Sequence, residues 1–211
     1  GVNSAKGCYP FSVPLAVPDD FEKYLWQNQA NDTLSESPFY TADKTAQYRI
    51  TVYDKYNCKA SDKMTMVVFP VPKTEIEGNK LICGEFDSEL SVKISDAPES
   101  VWNYPGSFKW ESNASINFSN KSHEGATITA PDWGEYEIYY YLETLDGCTT
   151  GDTFVVQFQP MPTSDFIFVD NPDDECKGYS REVLYTGNAT KDATFFWDYG
   201  GAKLIDSLDW N

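Results

Sequence analysis

Five cysteines, Cys8, Cys58, Cys83, Cys148 and Cys176, offer the most distinctive chemistry in this chain. No two of them stand as C-x-x-C, so disulfide formation is the expected use rather than zinc or dithiol redox work. Their spacing then selects partners. Cys8, Cys83 and Cys176 each head a recurring block, and Cys58 and Cys148 each follow a turn late in a second recurring block. Repeat symmetry predicts Cys8–Cys58 and Cys83–Cys148, with Cys176 unpaired. Such bridges imply an oxidising compartment, in the periplasm, at the cell surface or in secretion.

Other chemistry is thin. His123 is the one histidine and lies in the polar turn Asn120-Lys121-Ser122-His123-Glu124-Gly125, with no G-x-S-x-G nucleophile elsewhere. There is no phosphate-cradling glycine loop. Carboxylates abound, but a two-carboxylate hydrolase would need its own site in each small repeat, so the chain is read as not an enzyme. Acidic turns after prolines, Asp19-Asp20 and Asp173-Asp174 with Asp132, are the candidate Ca²⁺ ligands, because hard oxygens in loops suit that ion. No D-x-D-x-D-G loop accompanies them.

The elements that hold these residues recur. Three residues after Cys8, Cys83 and Cys176 stand Phe11, Phe86 and Tyr179; seven after stand Leu15, Leu90 and Val183; nine after stand Val17, Val92 and Tyr185. The alternation predicts one strand seen three times. An aromatic-x-Trp block follows at Trp26, Trp110 and Trp197, each expected as a core anchor because a buried indole contributes much of a small sandwich's stability. Next, Tyr48-x-Ile50-x-Val52 and Tyr136-x-Ile138-x-Tyr140-x-Leu142 alternate and run into turns before Cys58 and Cys148. Trp26 and Trp110 are expected between two sheets, opposite the strands carrying Tyr48 and Tyr136. Pro70-Val71-Pro72 and Pro160-Met161-Pro162 close the units as stiff spacers.

The repeats are therefore 1–72, 73–162 and an incomplete 163–211. Short alternating runs with Gly, Pro, Asn and Asp turns, and no helical period, predict an all-β chain of two-sheet sandwiches strung as an extended rod. The third repeat lacks its Tyr strand and second cysteine. Its apolar face is expected to be covered by continuing polypeptide or by a partner's added strands.

Composition narrows the partners. Sixteen Lys and Arg against 33 Asp and Glu give a net charge of −17, which argues against nucleic acid and against anionic membranes. No stretch approaches a membrane span. Aromatics at 16% belong to a folded chain rather than a disordered acidic one.

The run Gly134-Glu135-Tyr136-Glu137-Ile138, with Asp146-Gly147-Cys148 after it, resembles the ending of PKD-like repeats, an Ig-like sandwich type that fills long surface proteins of Bacteroidota. In the first repeat Ala46-Gln47 stand before Tyr48 where the pattern has glycine. The resemblance implies type IX export, attachment outside the outer membrane, and adhesion or gliding motility. The partners it implies are neighbouring repeats, surface glycans, or the export and motility machinery. It also implies Asp-Ser/Thr-aliphatic O-glycosylation, for which Thr33 and Ser207 are candidates. The N-x-Ser/Thr sites at Asn31, Asn113, Asn117, Asn120 and Asn188 matter only in a eukaryotic secretory host. A structural stalk leads the functional readings. A glycan-binding module, using outward tyrosines among Tyr139, Tyr140 and Tyr141, is the alternative, and a client fragment on export machinery is a third.

Overall fold

The computed structural model describes residues 4–98, 106–169, 182–190, 192–198 and 200–201. Every regular element among them is a strand. Two compact units are present, Gly1–Ile82 with Phe86–Phe158, and Cys83–Glu85 with Gln159–Asn211.

Within the first unit, the first repeat contributes β1 (Ser4–Cys8), β2 (Val13–Ala16), β3 (Lys23–Gln27), β4 (Thr33–Ser35), β5 (Phe39–Ala42), β6 (Ala46–Tyr53) and β7 (Lys59–Phe69). One sheet runs β1-β7-β6-β3-β4 and a second pairs β2 with β5. Alternation does the sorting: Tyr24 and Trp26 on β3, Tyr48, Ile50 and Val52 on β6, and Met64 and Met66 on β7 are buried. Tyr40 of β5 closes the interior, stacked on Trp26 at 6.0 Å and tilted against Tyr48 at 5.7 Å.

The second repeat follows a similar plan, with one added strand and one short strand moved to the other sheet. Its strands are β8 (Lys73–Glu77), β9 (Leu81–Cys83), β10 (Asp87–Ser95), β11 (Ser107–Ser112), β12 (Asn117–Ser119), β13 (Gly125–Thr129), β14 (Gly134–Glu143) and β15 (Thr149–Gln159). The sheets are β11-β14-β15-β9 and β12-β13-β10-β8. Tyr136, Ile138, Tyr140 and Leu142 of β14 lie buried with Phe154, Val156 and Phe158 of β15, against Leu90, Ala126 and Ile128 of the other sheet. Asp152 ties the two sheets, its Oδ2 accepting from Ile76 N at 2.7 Å. At Gly125 a Cβ would meet Leu90 O at 2.4 Å, so only glycine lets these two backbones approach.

The recurrence extends to individual hydrogen bonds. Trp26 Nε1 donates to Ser37 O and Trp110 Nε1 to Ser122 O, both at 3.0 Å. Tyr48 Oη donates to Lys44 O and Tyr136 Oη to Asp132 O, both at 2.9 Å and both four residues upstream. Each ring thus pins the corner that leads into its strand.

Three expectations are corrected. The tryptophans do not face the Tyr strands from an opposing sheet. β3 is hydrogen-bonded to β6 with Trp26 beside Ile50, and β11 to β14 with Trp110 beside Tyr140. Both indoles are buried from the same side as the tyrosines, at 4% and 6% exposure. The cysteine-led block is two strands, not one. Cys8 ends β1 and Leu15 lies on β2 of the other sheet; Cys83 ends β9 and Leu90 lies on β10. The chain crosses between sheets at Tyr9-Pro10 and at Gly84, whose φ of +76° suits glycine.

The third correction is the disulfide pairing. Cys8 is bonded to Cys148, while Cys58 and Cys83 are free and exposed. Strand direction is the reason. β1 runs parallel to β7 with Cys8 level with Phe69, whereas Cys58 precedes Lys59 at the other end of β7. Ten residues at about 3.3 Å each separate those ends by roughly 33 Å, far beyond the ~4.4–6.8 Å between Cα atoms that a disulfide spans. Cys83 is likewise level with Gln159, since Gly84 N donates to its carbonyl at 2.9 Å, and Cys148 precedes the far end of β15. Within a repeat the two cysteines sit at opposite poles.

The second unit holds the hairpin β16 (Phe166–Val169) with β17 (Glu182–Tyr185). Phe166, Ile167, Phe168, Val183 and Leu184 are exposed, and Phe196 is 94% exposed. Trp197 is half-buried, with its ring 5.8 Å from Phe166. Cys176, Asp173, Asp174 and Ser207 lie outside the described residues.

Tyr140 supplies a pH test of the second core. Its hydroxyl donates to His123 O at 3.0 Å and burial raises its pKa. The folded chain therefore keeps a proton that the unfolded chain releases above pH ~10. That contribution to stability is intact below pH 10 and falls as pH rises further. Urea titrations from pH 9 to 11 should show this fall, and Tyr140→Phe should flatten it.

Candidate functional site at the junction of the first two repeats

The Cys8–Cys148 bond joins the pole of one sandwich where β7 ends to a hairpin turn of the next. Cys8 is placed by the β1–β7 ladder, which continues past it as Tyr9 N donates to Phe69 O at 2.9 Å. Cys148 is placed by a tight turn between β14 and β15. Thr144 N donates to Cys148 O at 2.8 Å, Gly147 N to Thr144 O at 2.9 Å, and Cys148 N to Thr144 Oγ1 at 3.1 Å. Gly147 has φ of +79°, which the turn requires. Thr144 and Cys148 are both buried, at 2% and 1% exposure. The bond closes a 140-residue separation with Cα atoms 5.6 Å apart. Pro72 of the linker is fully buried. This junction adds a covalent tie between two sandwiches that the chain otherwise joins only through Pro70-Val71-Pro72.

A second surface is the outer face of the sheet containing β14. Tyr141 is exposed there, beside Lys109 and Gly151, and Tyr139 is half-buried between Glu111 and Thr153. Thr149, Gly151 and Thr153 line a shallow groove against Tyr141. Tyr139 Oη donates to Glu137 Oε2, and Lys109 pairs with Glu111. The Glu137 hydrogen bond, above all, raises the Tyr139 pKa. Of the three tyrosines in this run, Tyr140 points inward.

The remaining predicted positions are dispersed. Asp19 and Asp20 are exposed, and among the described residues no group of three His, Cys, Asp or Glu side chains is close enough to hold a metal. Thr33 is exposed at the start of β4, behind the Asn28–Asp32 bonds at 2.8 and 2.9 Å. His123 Nε2 is 3.9 Å from Glu124 and faces no nucleophile among the described contacts.

The sequence matches no protein-family model and no curated protein. Among solved structures the chain is similar to the insect immune protein hemolin, with 12% identity over 75% of this chain and 45% of that one, at a TM-score of 0.47. It is also similar to three N-terminal domains of the highly immunogenic outer capsid protein of bacteriophage RB49, with 13% identity over 76% and 68% of the two chains and a TM-score of 0.43. A third is the fibronectin(III)-like modules of Clostridium thermocellum CbhA, with 10% identity over 75% and 91% and a TM-score of 0.35.

Sequence reasoning found both half-cystines but not their partnership. It also missed the paired tyrosine corners. Their signal was present as Tyr48 and Tyr136 opening the long alternating strands, each four residues after the backbone carbonyl it holds.

Proposed function

We propose that this chain is a non-catalytic, disulfide-stapled stalk segment of a secreted cell-surface protein, divided into repeats at 1–72, 73–162 and 163–211 and strung as a rod. The observation that carries this reading is the Cys8–Cys148 bond. When the ends are pulled, tension enters at Cys8 and leaves at Cys148 through the S–S bond. The 139 residues between, which hold the first core and most of the second, are then bypassed. A covalent shunt of this kind suits a segment that bears mechanical load. The PKD-like pattern at Gly134–Ile138 and Asp146–Cys148 supports the finer reading, an adhesin or gliding-motility protein of the type IX export class. The tyrosine face favours a glycan module less. Tyr139 is engaged by Glu137, and an ion pair crosses the surface beside Tyr141.

Single-molecule pulling tests the reading. The oxidised chain should extend without releasing the 140-residue segment, and reductant should add roughly 480 Å of contour length. Equal extension in both conditions would contradict it.

A further inference from the structure

Cys58 and Cys83 are exposed thiols, yet each sits in the same local geometry as one half of the bond already made. Cys58 matches Cys148. Asp54 N donates to Cys58 O at 3.0 Å, Asn57 N to Asp54 O at 2.9 Å, and Cys58 N to Asp54 Oδ1 at 2.8 Å. Those are the three bonds of the Cys148 turn, with Asp54 in the place of Thr144. Asn57, at φ of +63°, stands where Gly147 stands. Cys83 matches Cys8. The residue after each donates its N–H, at 2.9 Å, to the carbonyl just before a Pro-x-Pro linker, Tyr9 to Phe69 and Gly84 to Gln159.

We propose that Cys58 and Cys83 are the two ends through which this junction propagates. Cys58 takes a disulfide from the first-strand cysteine of a preceding repeat, and Cys83 gives one to the hairpin cysteine of a following repeat. The partner is in each case a sandwich of this same kind, flanking in sequence, because the established bond fixes the polarity. A first-strand cysteine at one repeat's far pole meets the hairpin turn of the next. Opposite poles within a repeat leave each cysteine no internal alternative. Each bond forms by thiol–disulfide exchange: two thiols give one cystine, and their two protons and two electrons pass to an oxidising disulfide, which leaves as two thiols. Because Cys83 lies inside the loop closed by Cys8 and Cys148, successive loops overlap. Each repeat is then covalently interlocked with both neighbours, and no single bond rupture frees a sandwich. This inference rests on the repeat-stalk reading.

The test is a disulfide map of the native protein, isolated without reductant and blocked with N-ethylmaleimide before digestion. The expected result is complete loss of maleimide labelling at Cys58 and Cys83, each instead linked to a cysteine peptide from outside residues 1–162. Maleimide on either cysteine, a small-molecule cap, or a Cys58–Cys83 peptide would overturn the proposal. In those cases a Cys8–Cys148 peptide in the same digest would show that the staple itself stands. Its absence would show instead that the stalk reading failed first.

Discussion

Replacing Trp110 with alanine should destabilise the second repeat by about 3–5 kcal/mol, enough to unfold a marginal sandwich. The indole is 6% exposed, its Nε1 donates to Ser122 O at 3.0 Å, and its ring lies 4.8 Å from Tyr140 and 6.3 Å from Phe118. Alanine would leave a cavity between the sheets and an unpaired carbonyl on the β12–β13 turn. Trp110→Phe should recover most of the packing but not the hydrogen bond, which is worth about 1 kcal/mol. Urea unfolding followed by tryptophan fluorescence and circular dichroism measures both. An unchanged midpoint for the alanine variant would mean that the ring is a surface platform, and the glycan-binding reading would gain.

Removing the staple should have an effect of similar size. On the chain-entropy account, freeing a loop of 140 residues costs about 5 kcal/mol. Cys8→Ser and Cys148→Ser should lower unfolding free energy by the same amount, and the double variant by no more than either alone, because one bond is lost in all three. Cys58→Ser should leave stability unchanged, since the exposed thiol bonds nothing within the described residues. Under within-repeat pairing, Cys8→Ser would match Cys58→Ser instead, so the comparison separates the two arrangements.

Much of the fold is written in local patterns. Period-two alternation along Tyr48-Ile50-Val52 and Tyr136-Ile138-Tyr140-Leu142 marks the inward face without knowledge of the partner strand, and all seven side chains are buried. Trp26 and Trp110 stand out by size at matched places in that pattern. The linkage of strands into sheets is not local. The run from Cys8 to Val17 keeps its apolar spacing across a change of sheet, so it reads as one strand although Cys8 and Leu15 belong to different ones. Disulfide partnership is more remote still. Matched offsets are equally consistent with pairing inside each repeat and with pairing from each repeat to the next. What decides between them is that β1 lies parallel to β7 and brings Cys8 level with Phe69. That is a register between residues 61 positions apart, and no composition or period encodes it. The tyrosine corners are intermediate: their side chains are conspicuous, but the bond each makes to a carbonyl four residues back appears only once the turn is built.

The central claim is that one covalent bond crosses from the first sandwich to the second. It is tested most directly by non-reducing peptide mapping of the 211-residue chain after thiol blocking. Expressed without the flanking repeats that would supply partners to Cys58 and Cys83, this segment should give a disulfide-linked pair of peptides carrying Cys8 and Cys148, with Cys58 and Cys83 both recovered as blocked thiols. Recovery of Cys8–Cys58 and Cys83–Cys148 peptides would contradict it, and with it the shunt on which the proposed stalk reading rests.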